Sequence, residues 1–186
     1  DLDKNTEVID SYKQVIRIGP DDAHIHNNLG LVYSDLGKNT EAIDSYKQVI
    51  RIDPDYELVH INLSYAYGEL GRYEEAIESL KQAIEIDPDF KEAHFCLGYY
   101  YDKLGRYGEA IKSYRNAIRT DPEDGLAYSP LGGFAYSRSG KNAEAIDSYK
   151  QVIRIDPDNA SAHFHLGHAY GEVGRYAEAI EPLKQA

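Results

Sequence analysis

The chain has 186 residues, 42% hydrophobic and 28% charged, which is too apolar for a disordered tail and too polar for a membrane-embedded protein. Its formal charge of −12 repels phosphate and argues against a nucleic-acid partner, and no apolar run reaches the ~18–20 residues of a spanning helix, so no membrane insertion is expected. A single cysteine, Cys96, leaves no disulfide framework and no Cys-based zinc site.

Two marks punctuate the chain. Prolines recur at Pro20, Pro54, Pro88, Pro122 and Pro157, three steps of 34 residues and one of 35, and glycines fall between them at Gly37, Gly71, Gly105, Gly140 and Gly174. Residues 3–18 read as one helix, the second half of a repeat, because Lys4–Ile18 repeats Lys38–Ile52 with Val8 in place of Ala42. Five repeats follow, over 20–53, 54–87, 88–121, 122–156 and 157–186, the last without its final residues. Each reads as helix A, a Gly turn, helix B and a Pro turn. In the repeat 54–87, Tyr73, Ala76, Ile77, Leu80, Ala83 and Ile84 form the single apolar stripe of a helix B, while Leu58, Ile61, Leu63, Tyr65 and Tyr67 make helix A apolar on more than one side. Asp55, Asp89 and Asp158, beside their prolines, are the N-cap candidates for helix A.

The repeat 122–156 departs from the pattern. Tyr128-Ser129-Pro130-Leu131-Gly132-Gly133-Phe134 stands where a regular helix A belongs and carries one extra residue, placed between Leu131 and Phe134. A proline inside the helix and two adjacent glycines predict a kink or π-bulge there. Lys38–Asp55 and Lys141–Asp158 differ only at Thr40 and Ala143, so the chain reads as a piece of a longer, internally duplicated array. Its two ends lack polar capping helices, and self-association through those uncapped ends is expected.

The repeat text resembles a family. His26, Leu29, Gly30, Tyr33, Ala42, Tyr46 and Pro54 follow the tetratricopeptide-repeat pattern, with His where that pattern has Trp, and the match recurs through Leu166, Gly167, Tyr170, Ala179 and Leu183. The resemblance implies an all-α, right-handed superhelical solenoid of antiparallel helix pairs, with helix A lining a concave groove. On that allocation one column along the groove is Asn27, Ile61, Phe95, Ser129, Phe164. A second is Leu31, Tyr65, Tyr99, Phe134, His168, and Asn28, Asn62, Cys96, Pro130 and His165 run between them. The family's carboxylate clamp would fall on Asn27, Leu31, Asn62, Glu92 and Cys96, where only Asn62 fits. Its asparagine ladder is matched by Asn28 and Asn62 alone.

Other constellations carry little chemistry. His26, His60, His94 and His163 recur at the repeat spacing and read as packing residues. His165, His168 and Glu172 share a helix face with donors that suit a divalent cation; a polar stretch of groove is the favoured reading. Cys96 has no base at helical spacing, and no phosphate loop or serine elbow is present, so neither catalysis nor a cofactor is expected. The expected function is that of a protein-interaction scaffold, holding a partner peptide or helix against Asn27, Asn28, Leu31, Ile61, Asn62, Tyr65, Phe95, Tyr99, Phe134, Phe164 and His168. The alternative is a substrate-recruiting arm of a larger enzyme such as a glycosyltransferase.

Overall fold

Glycine and proline set the helix ends. Gly37, Gly71, Gly105, Gly140 and Gly174 all adopt φ between +68° and +74°, the left-handed region that closes a helix at low steric cost. The residue after each turns its N–H back to the last turn of helix A, as Lys38 does to Tyr33 O (2.8 Å) and Arg106 to Tyr101 O (2.8 Å). The structure, a computed structural model, describes residues 2–122 and 130–186, with side chains from residue 6 and, in the second stretch, at 133 and from 135 onward.

Among the described residues there are eleven helices. They are α1 (Leu2–Ile18), α2 (Ala23–Asp35), α3 (Asn39–Ile52), α4 (Glu57–Glu69), α5 (Tyr73–Ile86), α6 (Lys91–Lys103), α7 (Tyr107–Thr120), α8 (Pro130–Arg138), α9 (Asn142–Ile155), α10 (Ala160–Glu172) and α11 (Tyr176–Gln185). They form two compact units. In the first, Asp1–Pro88, α1 packs on α2, α2 pairs with α3, α3 packs on α4, and α4 pairs with α5. In the second, Asp89–Ala186, the pairs are α6/α7, α8/α9 and α10/α11, with α7 on α8 and α9 on α10.

In the pairs α2/α3, α6/α7 and α8/α9 a glycine meets a ring, and in α10/α11 Gly167 meets the Leu183 side chain. A Cβ on Gly98 would stand 2.7 Å from the Tyr114 ring, and Gly30 is closed in the same way by Tyr46 and Gly133 by Tyr149. The pair α4/α5 solves the problem differently, with Ser64 and Leu80, both fully buried, in place of glycine and tyrosine. In α4/α5 the larger residue on helix A is thus matched by a narrower one on helix B, as a core filled to crystal-like density favours. The histidine column is buried: His26 and His163 each donate Nε2–H to the carbonyl of Pro20 and Pro157 at 2.9 Å, tying helix A to the turn before it.

Two sequence expectations are corrected. Asp55, Asp89 and Asp158 do not cap helix A, because Pro and Asp occupy the two central places of a turn closed by Tyr56 N→Asp53 O (3.3 Å) and Asn159 N→Asp156 O (3.2 Å). The cap is therefore one residue later, at Asp22, Tyr56, Phe90 and Asn159, and only Asp22 and Asn159 cap with their side chains. Over Pro130–Arg138 α8 is α-helix. The expected π-bulge between Leu131 and Phe134 is not found among the described residues, and the alternative expectation, a kink at Pro130, turns on Leu126 to Ser129, which lie outside them. Gly133, not Gly132, is the glycine that meets the ring, so the repeat register reaches back to Gly133 from the C-terminal side.

Candidate functional site

Helix A presents its ends and one face to solvent while its tyrosines at the next positions are consumed by packing. Tyr33, Tyr67, Tyr101 and Tyr170 are all buried, as the packing column requires. In the column four residues on from Asn27, Leu31 is 40% exposed and Tyr65 53% exposed, large apolar surfaces left in water on α2 and α4. Tyr99 is half-buried, its ring edge-on to Tyr100 at 5.2 Å and capped by the Lys103 ammonium at 5.1 Å. His168 is exposed and faces Glu172 at 3.9 Å. The Phe134 side chain lies outside the described residues.

The other column is rotated toward neighbouring helices. Asn27 and Ile61 are each 8% exposed, so neither offers a free surface as the sequence reading expected. The reason is local: Asn62, half-buried, donates Nδ2–H to Asn27 Oδ1 at 3.1 Å, joining α2 to α4 through the side chains that face one another. Asn28 remains exposed. Phe95 is half-buried against Tyr114, ring centres 5.7 Å apart. Phe164 on α10 is 51% exposed, with no later helix A among the described residues to cover it.

The metal candidate does not assemble. His165 stacks flat on Tyr149 at 5.5 Å, and burial, with His168 nearby, pushes its pKa down; the ring is committed to packing. Among the described residues no group of three His, Cys, Asp or Glu side chains is placed to hold a metal ion. Cys96 is buried between the helices.

Asp102, Lys103 and Arg138 are polar groups on the groove edge by sequence, but spacing within a repeat does not pair them. Asp102 on α6, buried, accepts from Arg138 Nη1 on α8 at 3.1 and 3.4 Å, and Tyr107 closes the same corner beneath the Arg138 guanidinium at 6.0 Å. Its signal was present: the last residues of α2, α4, α6, α8 and α10 are Asp35, Glu69, Lys103, Arg138 and Glu172, so the sign of the charge reverses at two adjacent places.

With this geometry in place, comparison with known proteins is decisive for the family. The family model described as TPR repeat matches residues 1–37, 31–71, 65–105 and 133–174, and that described as Tetratricopeptide repeat matches 91–124. The chain is a tetratricopeptide-repeat protein. Two crystal structures of MamA are similar to this tetratricopeptide array. One is 29% identical over 88% of each chain with a TM-score of 0.81, and the other 30% identical over 84% of this chain and 91% of that one with a TM-score of 0.79. The crystal structure of YrrB, a TPR protein with an unusual peptide-binding site, shares the fold at a TM-score of 0.79 with 20% identity, over 94% of this chain and 89% of that one. No curated protein matches the chain. No described helix is long and apolar enough to cross a membrane.

Proposed function

We propose that this chain is a protein-interaction scaffold that holds an extended or helical segment of a partner against the exposed face of its A helices. The observation that carries the reading is Tyr65, a ring more than half in water, in one column with Leu31, while the tyrosines two residues along, Tyr33 and Tyr67, are buried. Aromatic side chains left on a rigid surface are the usual anchors of a partner chain, since they bring large contact area at little entropic cost. Asn28 supplies an exposed amide beside this column, and in the second unit Tyr99 and Phe95 are half-buried aromatics on α6. The peptide-binding site named for YrrB, which shares the fold, is consistent with this use.

A peptide-display selection tests it, run on the parent and on a Tyr65→Ala/Phe95→Ala/Tyr99→Ala variant side by side. Enrichment of a motif by the parent alone is expected. Equal enrichment by both, or none by either, would remove helix A as the binding face.

A second reading, self-association through the ends, has its own observation. Ile180 on α11 is 55% exposed, whereas Ile43, Ile77, Ile111 and Ile146 at the same repeat position are 2–5% exposed, and Val15 on α1 is 45% exposed. Light scattering over a concentration series decides it: a mass that stays monomeric at every concentration removes the reading.

A further inference from the structure

The corner of α6, α7 and α8 is built unlike its counterparts. A cavity of about 550 Å³, within the size range of small-ligand sites, is walled by Tyr99, Tyr107, Lys103, Arg138 and Asp102. Helix C-termini favour cations, which accounts for the sign of Lys103 and Arg138 at the ends of α6 and α8. It does not account for Asp102. At that position the other A helices carry Ser34, Gly68, Ser137 and Gly171. Ser34 lies 3.4 Å from the Tyr46 hydroxyl, and Ser137 hydrogen-bonds that of Tyr149. Asp102 turns instead to Arg138, and the Tyr114 hydroxyl is left buried with no hydrogen-bond partner among the described residues.

Burying a carboxylate and orphaning a hydroxyl both oppose folding, so a gain elsewhere is implied. What the arrangement secures is the position of a guanidinium at the cavity wall, with the Lys103 ammonium fixed over Tyr99 on the same helix as Asp102. Among the described residues that line the cavity, one carboxylate stands with two cations, in a chain of charge −12. Two tyrosine rings flank the cations.

We infer that this cavity is an acid-reading subsite: it takes the carboxylate of a Glu or Asp side chain on a partner segment between Lys103 and Arg138, with the neighbouring apolar side chain against Tyr99 and Tyr107. The inference rests on the scaffold reading and names the chemistry of one place on it. Asp102 is a positioning residue, holding Arg138 in the direction of the ligand. A carboxylate in such a place gains from charge-assisted hydrogen bonds that an amide of the same shape lacks.

The test is a two-dimensional NMR titration with N-acetyl-phenylalanyl-glutamate amide, its glutamine analogue, and inorganic phosphate. The glutamate probe should move the amide signals of Lys103 to Tyr107 with a Kd about tenfold below that of the glutamine probe, a difference of roughly 1.4 kcal/mol. Lys103→Glu, which installs the residue α4 and α10 carry at this place, leaves the fold intact and should erase the difference. Equal response to the two dipeptides, an unchanged response in Lys103→Glu, tighter binding of phosphate than of the glutamate probe, or no shift with any probe would each overturn the subsite. Selection of neutral motifs through Tyr65 would survive those outcomes, so the scaffold reading fails or stands separately.

Discussion

Helices α2 and α6 hold the same place in their repeats. Behind each the same contact forms, Gly30 on Tyr46 and Gly98 on Tyr114, and each ends in a left-handed glycine, Gly37 and Gly105. In front they part: α2 ends in Ser34-Asp35, with the serine beside the tyrosine hydroxyl, and α6 ends in Asp102-Lys103, with the aspartate drawn to Arg138. The side that packs is held by volume and backbone angle, which tolerate few changes. The end that carries Ser34-Asp35 in α2 and Asp102-Lys103 in α6 is held by neither, and there these two helices differ. A repeat protein can thus keep one frame while each repeat presents its own chemistry.

The largest effects should come from breaking the shared side. Gly98→Ala drives a methyl into the Tyr114 ring and should cost about 1–3 kcal/mol, read as a fall in the urea midpoint. Gly108→Ala, in α7 with nothing within 4 Å of the added carbon, should instead stabilise by about 0.5–1 kcal/mol. Pairing Gly98→Ser with Tyr114→Leu copies Ser64 and Leu80, and should recover most of what Gly98→Ser alone loses. Purely additive losses would contradict the volume account.

Next in size is the turn. Gly37→Ala, at φ +68° with open space around it, should cost about 1 kcal/mol through backbone strain alone, with no change in the packing signals of Tyr46.

A smaller effect depends on pH. Burial pushes the pKa of His60 below its ordinary 6.5, against the opposing pull of the Pro54 carbonyl, and its Nδ1 has no hydrogen-bond partner among the described residues. The unfolded chain therefore takes up a proton that the folded chain refuses, so stability should fall as pH drops through 6.5 toward the lowered value. Melting of the parent and of His60→Asn at pH 7.5 and 5.5 isolates this term: the parent should lose more on acidification. Smallest of all is Arg119→Ala, which removes an exposed ion pair to Asp89 at 2.9 Å and should change stability by no more than about 0.5 kcal/mol.

The frame was legible in the sequence because proline and glycine act on the backbone directly, wherever the rest of the chain lies. Their spacing divides the chain into the pairs that the described helices form, and the buried tyrosines followed from the same register. The caps lie one residue beyond Asp55, Asp89 and Asp158, because the Pro-Asp of each Asp-Pro-Asp folds as the middle of a turn. Helical phase puts Asn27 and Ile61 on the groove face, yet it shows only which residues share a face, not whether the next helix covers that face. The Asn62 to Asn27 hydrogen bond is a contact between repeats, which spacing within one repeat cannot reveal. Asp102 and Arg138 are separated by 36 residues, and only the reversal of charge at the helix ends marked them.

The most direct measurement is photo-crosslinking with a benzoylphenylalanine placed at position 65 on α4 or at position 81 on α5, using peptides enriched by the parent. Both positions are exposed, but one lies on helix A and the other on helix B. The account predicts a crosslink from position 65 and none from position 81. A crosslink from position 81 with none from position 65 would place binding on the opposite face and contradict it.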